Sequence, residues 1–213
     1  FISAILGVVS YNFNSRRLSE KAAQSLKFYS RQTAANVDFT VDSMKHVTDY
    51  ILSDPDMLNA MKTLPKYYGS STYSKTIERN ELLDTLNSGI SMYYINSNFY
   101  RVIIFNEFGD VASSTNTGSK ITNKARNTTT IDWLDSAARK HGKPILVAPH
   151  MDGWGIRESE EVFSLARKVQ GGDFGYIEVQ YATEELKDIF EVPDSDIKVV
   201  AFLPGGHVLY RSE

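Results

Sequence analysis

The stretch Arg101–Ser114, RVIIFNEFGDVASS, decides how this chain is read. Four apolar residues, Val102 to Phe105, run into Asn106-Glu107-Phe108-Gly109-Asp110 and then into Val111-Ala112. A β-branched run, a turn containing Gly and a second short apolar run predict a β-hairpin. Gly109 falls where the turn needs a positive φ, which Gly adopts without steric cost. The pattern returns from Lys198 to Arg211, KVVAFLPGGHVLYR. Aligned without gaps, Arg101 falls on Lys198, Phe105 on Phe202, Gly109 on Gly206 and Val111 on Val208. Two hairpins of one design point to two copies of one module, the second of which contributes only its opening hairpin. The alternative is two unrelated hairpins that share turn chemistry.

Outward from the first hairpin, the preceding chain reads as helical. From Ser15 to about Ser53 there is no Pro or Gly, and Leu18, Ala22, Leu26, Tyr29, Thr33, Val37, Val41, Met44, Val47 and Ile51 recur at steps of three and four. That is one long amphipathic helix, with Glu20, Lys27, Arg31, Asp38, Asp42, Lys45 and Asp49 on its solvated face. A stripe so narrow packs against a partner helix or one edge of a sheet. Pro55 to Leu64 predicts a second helix capped by Ser53 or Asp54, and Lys75 to Tyr94 a third. Pro65 to Ser74 and Gly118 to Thr130 read as loops, and Asn96-Ser97-Asn98 as a turn.

Downstream, Ile131 to His141 predicts a short helix capped by Thr130 or Asp132 and closed by Gly142. Pro144 to Ala148, Glu161 to Val169 and Phe174 to Tyr181 read as strands, the last alternating as a half-buried strand should. The loop His150–Arg157 joins the first two of these strands, and Gly171-Gly172 turns into the third. Thr183 to Phe190 reads as a helix with a Thr cap, and Val192-Pro193-Asp194 leads into the second hairpin. The fold class is α+β, a long N-terminal helix packed on a mainly antiparallel sheet of about five strands.

Phe1 to Tyr11, FISAILGVVSY, is apolar and uncharged, with Arg16 and Arg17 close behind. A bilayer span needs roughly twenty such residues. The stretch reads as the outer end of a transmembrane helix, the alternatives being a signal-peptide remnant or a buried strand. A net charge of −3 with no basic cluster argues against nucleic acid as a partner. The chain has no Cys, which removes disulfides, thiolate metal sites and cysteine nucleophiles.

Taken together, RVIIFNEFGDV, the helix TIDWLDSAAR, the strand GDFGYIEVQY with its following helix TEELKDIF, and the repeated KVVAFLPGGHV resemble the Cache class of extracellular sensor domains, which are PAS-like and often in tandem. The pattern is most similar to the ectodomains of bacterial membrane histidine kinases. The resemblance implies three parts: 1–11 as the end of a transmembrane helix, 12–192 as a membrane-distal sensor module with its long N-terminal helix, and 193–213 as the opening hairpin of a truncated membrane-proximal module. It also implies a homodimer through the long helix, a location on the outer side of a bacterial cell membrane, and no enzymatic activity of the fragment's own. In tandem Cache sensors the amino-acid motif places Arg before, and Tyr after, an aromatic residue, with a later Asp. Trp133 takes the aromatic position here, but Ile131 stands for the Arg, Leu134 for the Tyr and Ile177 for the Asp. A buried zwitterion needs charged partners, so amino acids are not the expected ligand.

Trp133, Trp154, Tyr100, Asp152 and Arg157 are the residues expected to line a pocket for a small polar ligand such as a sugar. Trp133 starts the helix that covers the sheet, with plain core packing as its alternative role. Trp154 lies between two glycines, where a mobile aromatic has less reason to be core. His150-x-Asp152 offers two metal ligands but no third at sensible spacing. No cofactor is expected, and no catalytic elbow, zinc-binding helix or phosphate loop occurs. The expected function is a ligand-sensing ectodomain of a two-component sensor histidine kinase, the alternatives being a chemoreceptor ectodomain or a ligand-free dimerisation module.

Overall fold

The computed structural model describes residues 2–69, 72–94, 99–115, 131–154, 160–192 and 197–212. The loop expected at Gly118–Thr130 and the turn at 96–98 lie outside those residues. So do Pro193-Asp194 ahead of the second hairpin. Helix α1 runs unbroken from Ile2 to Ser53. It begins well before Ser15, so the stretch read as a possible buried strand is helical from Ile2. No helix among the described residues is long and apolar enough to cross a membrane. Among the described side chains of α1 the buried ones lie in its last part, Met44, Val47, Thr48 and Ile51 among them, while Phe13, Leu18, Phe28 and Phe39 are exposed.

Asp54 ends α1 and starts α2 (Pro55–Thr63). Its side chain accepts from Asp56 N at 2.9 Å and Met57 N at 3.0 Å, and Pro55 sits where a missing N–H costs nothing. The Met57 amide first, with help from the Tyr50 hydroxyl and the Asp56 amide, holds the Asp54 carboxyl below its usual range against the opposing effect of burial. A 3-10 turn, Leu64–Tyr67, leads towards α3 (Tyr73–Tyr94).

The sheet comprises β1 (Arg101–Phe105), β2 (Val111–Thr115), β3 (Ile145–Met151), β4 (Glu161–Lys168) and β5 (Tyr176–Ala182) in the order β2-β1-β5-β4-β3, every neighbouring pair antiparallel. The helix α4 (Leu134–Arg139) lies between β2 and β3 in sequence, and α5 (Leu186–Phe190) follows β5. A separate two-stranded sheet, β6 (Val200–Phe202) with β7 (Val208–Arg211), forms the second hairpin. The architecture is the α+β, PAS-like arrangement expected from the sequence.

Period-2 alternation sorts the strands between two faces. Val102, Ile104, Phe163, Leu165, Ile177 and Val179 join Met44, Ile51, Met57, Met61 and Leu86 of the helices in the main core. Ile103, Phe105, Ala166 and Tyr176 face the other way, against Trp133, Ala137 and Trp154. The sheet is therefore covered on both faces, and β5, expected to be half-buried, is buried from Tyr176 to Tyr181.

Two caps differ from expectation. Helix α4 starts at Leu134, three residues later than predicted, with no side chain capping it. Thr130 lies outside the described residues, and Asp132 is exposed. Helix α5 starts at Leu186 because Thr183 is used elsewhere: its hydroxyl donates to Glu161 O at 3.0 Å and Glu161 Oε2 at 2.9 Å, fastening the end of β5 to the start of β4. His150 and Met151, read as loop, complete β3.

Candidate functional site

The second face of the sheet carries a polar row as well as aromatic rings. Arg101 lies opposite Gln180, Ser164 lies opposite Gln180 on the other side, and Glu178 is flanked by Ile103 and Ala166. Arg101, Ser164, Glu178 and Gln180 are all fully buried. Buried polar groups are as a rule hydrogen-bonded, and each of these side chains makes at least one such bond, Gln180 through its Nε2. Glu178 Oε2 accepts from Trp154 Nε1 at 2.7 Å. Glu178 Oε1 accepts from Ser164 Oγ at 2.8 Å and Gln180 Nε2 at 3.3 Å.

Gln180 Nε2 also reaches Asp152 Oδ1 at 3.3 Å, which links Glu178 to a buried ion pair. Asp152 Oδ2 accepts from Arg101 Nη2 at 2.9 Å, with both side chains fully buried. Tyr100, immediately before β1, extends its hydroxyl to the same oxygen at 3.4 Å. Burial first, and the charge of Asp152, keep the Tyr100 hydroxyl above its usual range despite Arg101. Asp152 Oδ1 accepts the Trp154 amide at 3.0 Å, an Asx turn that fixes the chain leaving β3.

Phe105 centres the aromatic cluster, with Trp154, Tyr176 and Trp133 at 4.6, 5.4 and 5.9 Å between ring centroids. Trp154 is 3% exposed and Trp133 8% exposed. The expectation that Trp154 is a mobile rim residue is therefore corrected: its indole N–H is spent on Glu178 and its ring on Phe105. Burial and Glu107, whose carboxylate accepts from the Tyr176 hydroxyl at 3.2 Å, push that phenol up to about 12.

Beside this cluster lies a cavity of roughly 510 Å³, walled by Trp133, Val147, His150, Trp154, Glu178 and Gln180. A β-bulge brings His150 to it. Val147 pairs with Ser164, but the next pair along is His150 with Val162, so β3 carries one extra residue there. Without that residue His150 would point to the opposite face. Pro149 belongs to such a place, an edge strand at a bulge. His150 Nδ1 lies 2.9 Å from Ala148 O, and Nε2 lies 3.5 Å from Ser164 Oγ and 3.6 Å from Glu178 Oε1.

Of the residues expected at the site, Trp133 and Trp154 wall the cavity. Asp152 and Tyr100 lie beside it, in the network that holds Trp154 and Gln180. Arg157 lies outside the described residues. The sequence places Ile131, Leu134 and Ile177 where the polar partners of a zwitterion would stand, but the cavity does carry a buried carboxylate, Glu178. Ile177, the position read in place of a carboxylate, faces the helices, and its neighbour Glu178 faces the cavity. His150 and Asp152 do not converge, since one faces Glu178 and the other Arg101. Among the described residues no three metal-ligating side chains cluster.

No protein-family model matches the chain, and no curated protein matches it significantly. Its neighbours among solved structures are sensory domains. It is similar to the isoleucine-bound sensory domain of the Campylobacter jejuni chemoreceptor Tlp3, at 15% identity over 87% of this chain and 71% of that one, with a TM-score of 0.49. The sensor domain of the V. cholerae histidine kinase DctB aligns at 13% identity over 80% of this chain and 59% of that one, with a TM-score of 0.49. The ligand-binding domain of the Pseudomonas aeruginosa chemoreceptor PctC, solved with GABA, aligns at 14% identity over 72% of this chain and 66% of that one, with a TM-score of 0.46.

Proposed function

We propose that this chain is the extracellular ligand-sensing module of a transmembrane receptor, with a two-component sensor histidine kinase as the parent and a chemoreceptor as the alternative parent. Residues 1–11 are read as the end of the membrane helix, 12–192 as the sensor module and 193–213 as the opening of a second module. The observation that carries this reading is the cavity on the second face of the sheet. A concave site with aromatic walls and a few fixed polar groups is the usual form of a small-molecule site.

The cavity also has mechanical routes to α1. Arg167 of β4 bonds Gly142 O, in the turn after α4, at 2.5 Å, and pairs with Asp49 of α1. Helix α4 begins beside Trp133, so a guest that moves this wall pulls on α1 through Arg167. The β6–β7 turn touches the cavity through His207, and the same hairpin lies along α1 across an apolar groove of about 730 Å³. A small displacement of α1 biases a dimer held through exposed Phe13, Leu18, Phe28 and Phe39.

The test is thermal unfolding of the chain against sugars, organic acids, amines and amino acids. A ligand at a hundred times its Kd adds about 2.7 kcal/mol. For a domain of this size that raises Tm by roughly 5 to 10 °C. The expected result is a shift with one compound class that disappears in Trp133→Ala. A second reading, a ligand-free dimerisation module, is favoured by one observation, the inward packing of both tryptophans. Absence of any shift, together with dimerisation lost on Leu18→Asp, decides for it.

A further inference from the structure

His150 Nδ1 lies 2.9 Å from Ala148 O, and Nε2 faces Ser164 Oγ at 3.5 Å and Glu178 Oε1 at 3.6 Å, within ion-pair reach when the ring is protonated. The imidazolium suits this setting, since it donates to the carbonyl at Nδ1 while its charge pairs with the carboxylate. Burial alone pushes its pKa down, but Glu178, the Ala148 carbonyl and Asp152 together raise it above the ordinary histidine value. Glu178 in turn has neutral donors from Trp154, Ser164 and Gln180, and His150 is the one cationic group paired with it among the described residues. The Glu178 side chain is 1% exposed and that of His150 is 29% exposed, so the imidazole is the more open member of the pair.

The other charged groups near this pair are few. From the end of β3, Asp152 acts on His150 but is paired with Arg101 of β1. β4 supplies the neutral Ser164, since Arg167 faces α1. The chain ahead of α4 contributes Asp132, and the β6–β7 turn contributes His207. No Lys or Arg among the described residues lines the cavity. Among the described residues of the wall a carboxylate on a guest would meet no permanent countercharge, whereas a guest cation meets Glu178, Asp132 and the faces of two indoles, which favour it.

We propose that the cavity takes a compact organic cation of single charge, which displaces the proton of His150 and replaces it as the partner of Glu178. The inference rests on reading the cavity as the sensor's ligand site. Binding releases one proton from His150 to solvent and leaves the local charge unchanged. The guest enters as the imidazole, now neutral, turns out towards the open side. The same exchange makes the site respond to acidity: at low pH His150 holds the carboxylate and repels the guest.

Isothermal titration of the whole chain with methylammonium, ethanolamine and choline, beside acetate and glucose as controls, tests this. Affinity for a cation is expected to rise about tenfold per pH unit below the His150 pKa and to level above it. In the rising limb, buffers of different ionisation enthalpy should report one proton released per cation. His150→Gln should flatten the pH profile and keep binding, and Glu178→Gln should abolish it. His150→Gln keeps the test decisive should Glu178→Gln fail to fold. A pH-independent cation affinity, or no binding of any of the three cations at pH 8.5, overturns the proposal. If glucose or acetate then raises Tm in a Trp133-dependent way, the cation class falls and the sensor reading stands. Silence from every compound tells against both.

Discussion

The two hairpins turn in the same way and end in different surroundings. In the first, Asn106 N donates to Asp110 O and Gly109 N to Asn106 O, with Gly109 at φ 85°. In the second, Leu203 N donates to His207 O and Gly206 N to Leu203 O, with Gly206 at φ 86°. Gap-free alignment of the sequences superposes these bonds residue for residue. Yet β1 is buried at all five positions, while β6 is exposed at both ends. Strand β1 lies between β2 and β5, with helices on one face and Trp154 on the other. The second hairpin pairs only with itself, and rests on the domain through Leu203, Leu209 and the stack of Tyr210 on Phe190 at 4.5 Å. Turn chemistry is local, and burial is conferred by topology.

The largest effect follows from the aligned phenylalanines. Phe105 is 2% exposed at the centre of the aromatic cluster, and Phe202 is 61% exposed. Phe105→Ala should cost about 3 to 5 kcal/mol in denaturant unfolding, the range for a buried aromatic. Phe202→Ala should stay within about 0.5 kcal/mol, as exposed substitutions do. Equal costs would break the comparison and place a cover on β6.

That contrast also marks what the sequence could reveal. Both hairpins, the long helix and the order of elements were legible because each depends on local spacing and on turn residues. The chemistry of the second face was not. In YIEVQY the alternation is the same whether Glu178 and Gln180 meet water or a buried Arg–Asp network. Only the Trp154 chain and α4, which cover that face, decide between them. His150 was misplaced because one extra residue in β3 turns it to the cavity, and Pro149 was the available sign of the bulge. Trp154 was read as mobile from its flanking glycines, when the contacts that hold its side chain, Glu178 at the indole N–H and Phe105 at the ring, come from residues distant in sequence.

The next effect separates the turns themselves. Only the first is reinforced by side chains. Asn106 Oδ1 accepts from Phe108 N and Asp110 N at 3.0 Å each, and its Nδ2 donates to Asp110 Oδ2 at 2.8 Å. Arg79 of α3 bonds the same carboxylate at 2.6 Å through Nε. Asn106→Ala leaves buried donors without partners and should cost about 1 to 3 kcal/mol. The cost should appear as faster hydrogen exchange at the Phe108 and Asp110 amides, with the β6–β7 hairpin unaffected.

The smallest effect is the one expected to be equal. A Cβ on Gly109 or Gly206 meets nothing within 4 Å, so alanine there is penalised only by the positive φ. Each Gly→Ala change should cost about 1 to 2 kcal/mol of strain in its own turn. Where that strain is expressed should differ. In the first hairpin the turn is tied into β1 and α3, so Gly109→Ala should lower global stability in urea. The second hairpin has fewer attachments and can open alone. Gly206→Ala should therefore speed exchange at the Leu203 and Gly206 amides while leaving the global urea midpoint nearly unchanged. A drop in that midpoint as large as for Gly109→Ala would mean that the second hairpin unfolds with the rest of the domain, and that its exposed strands nonetheless belong to one cooperative unit.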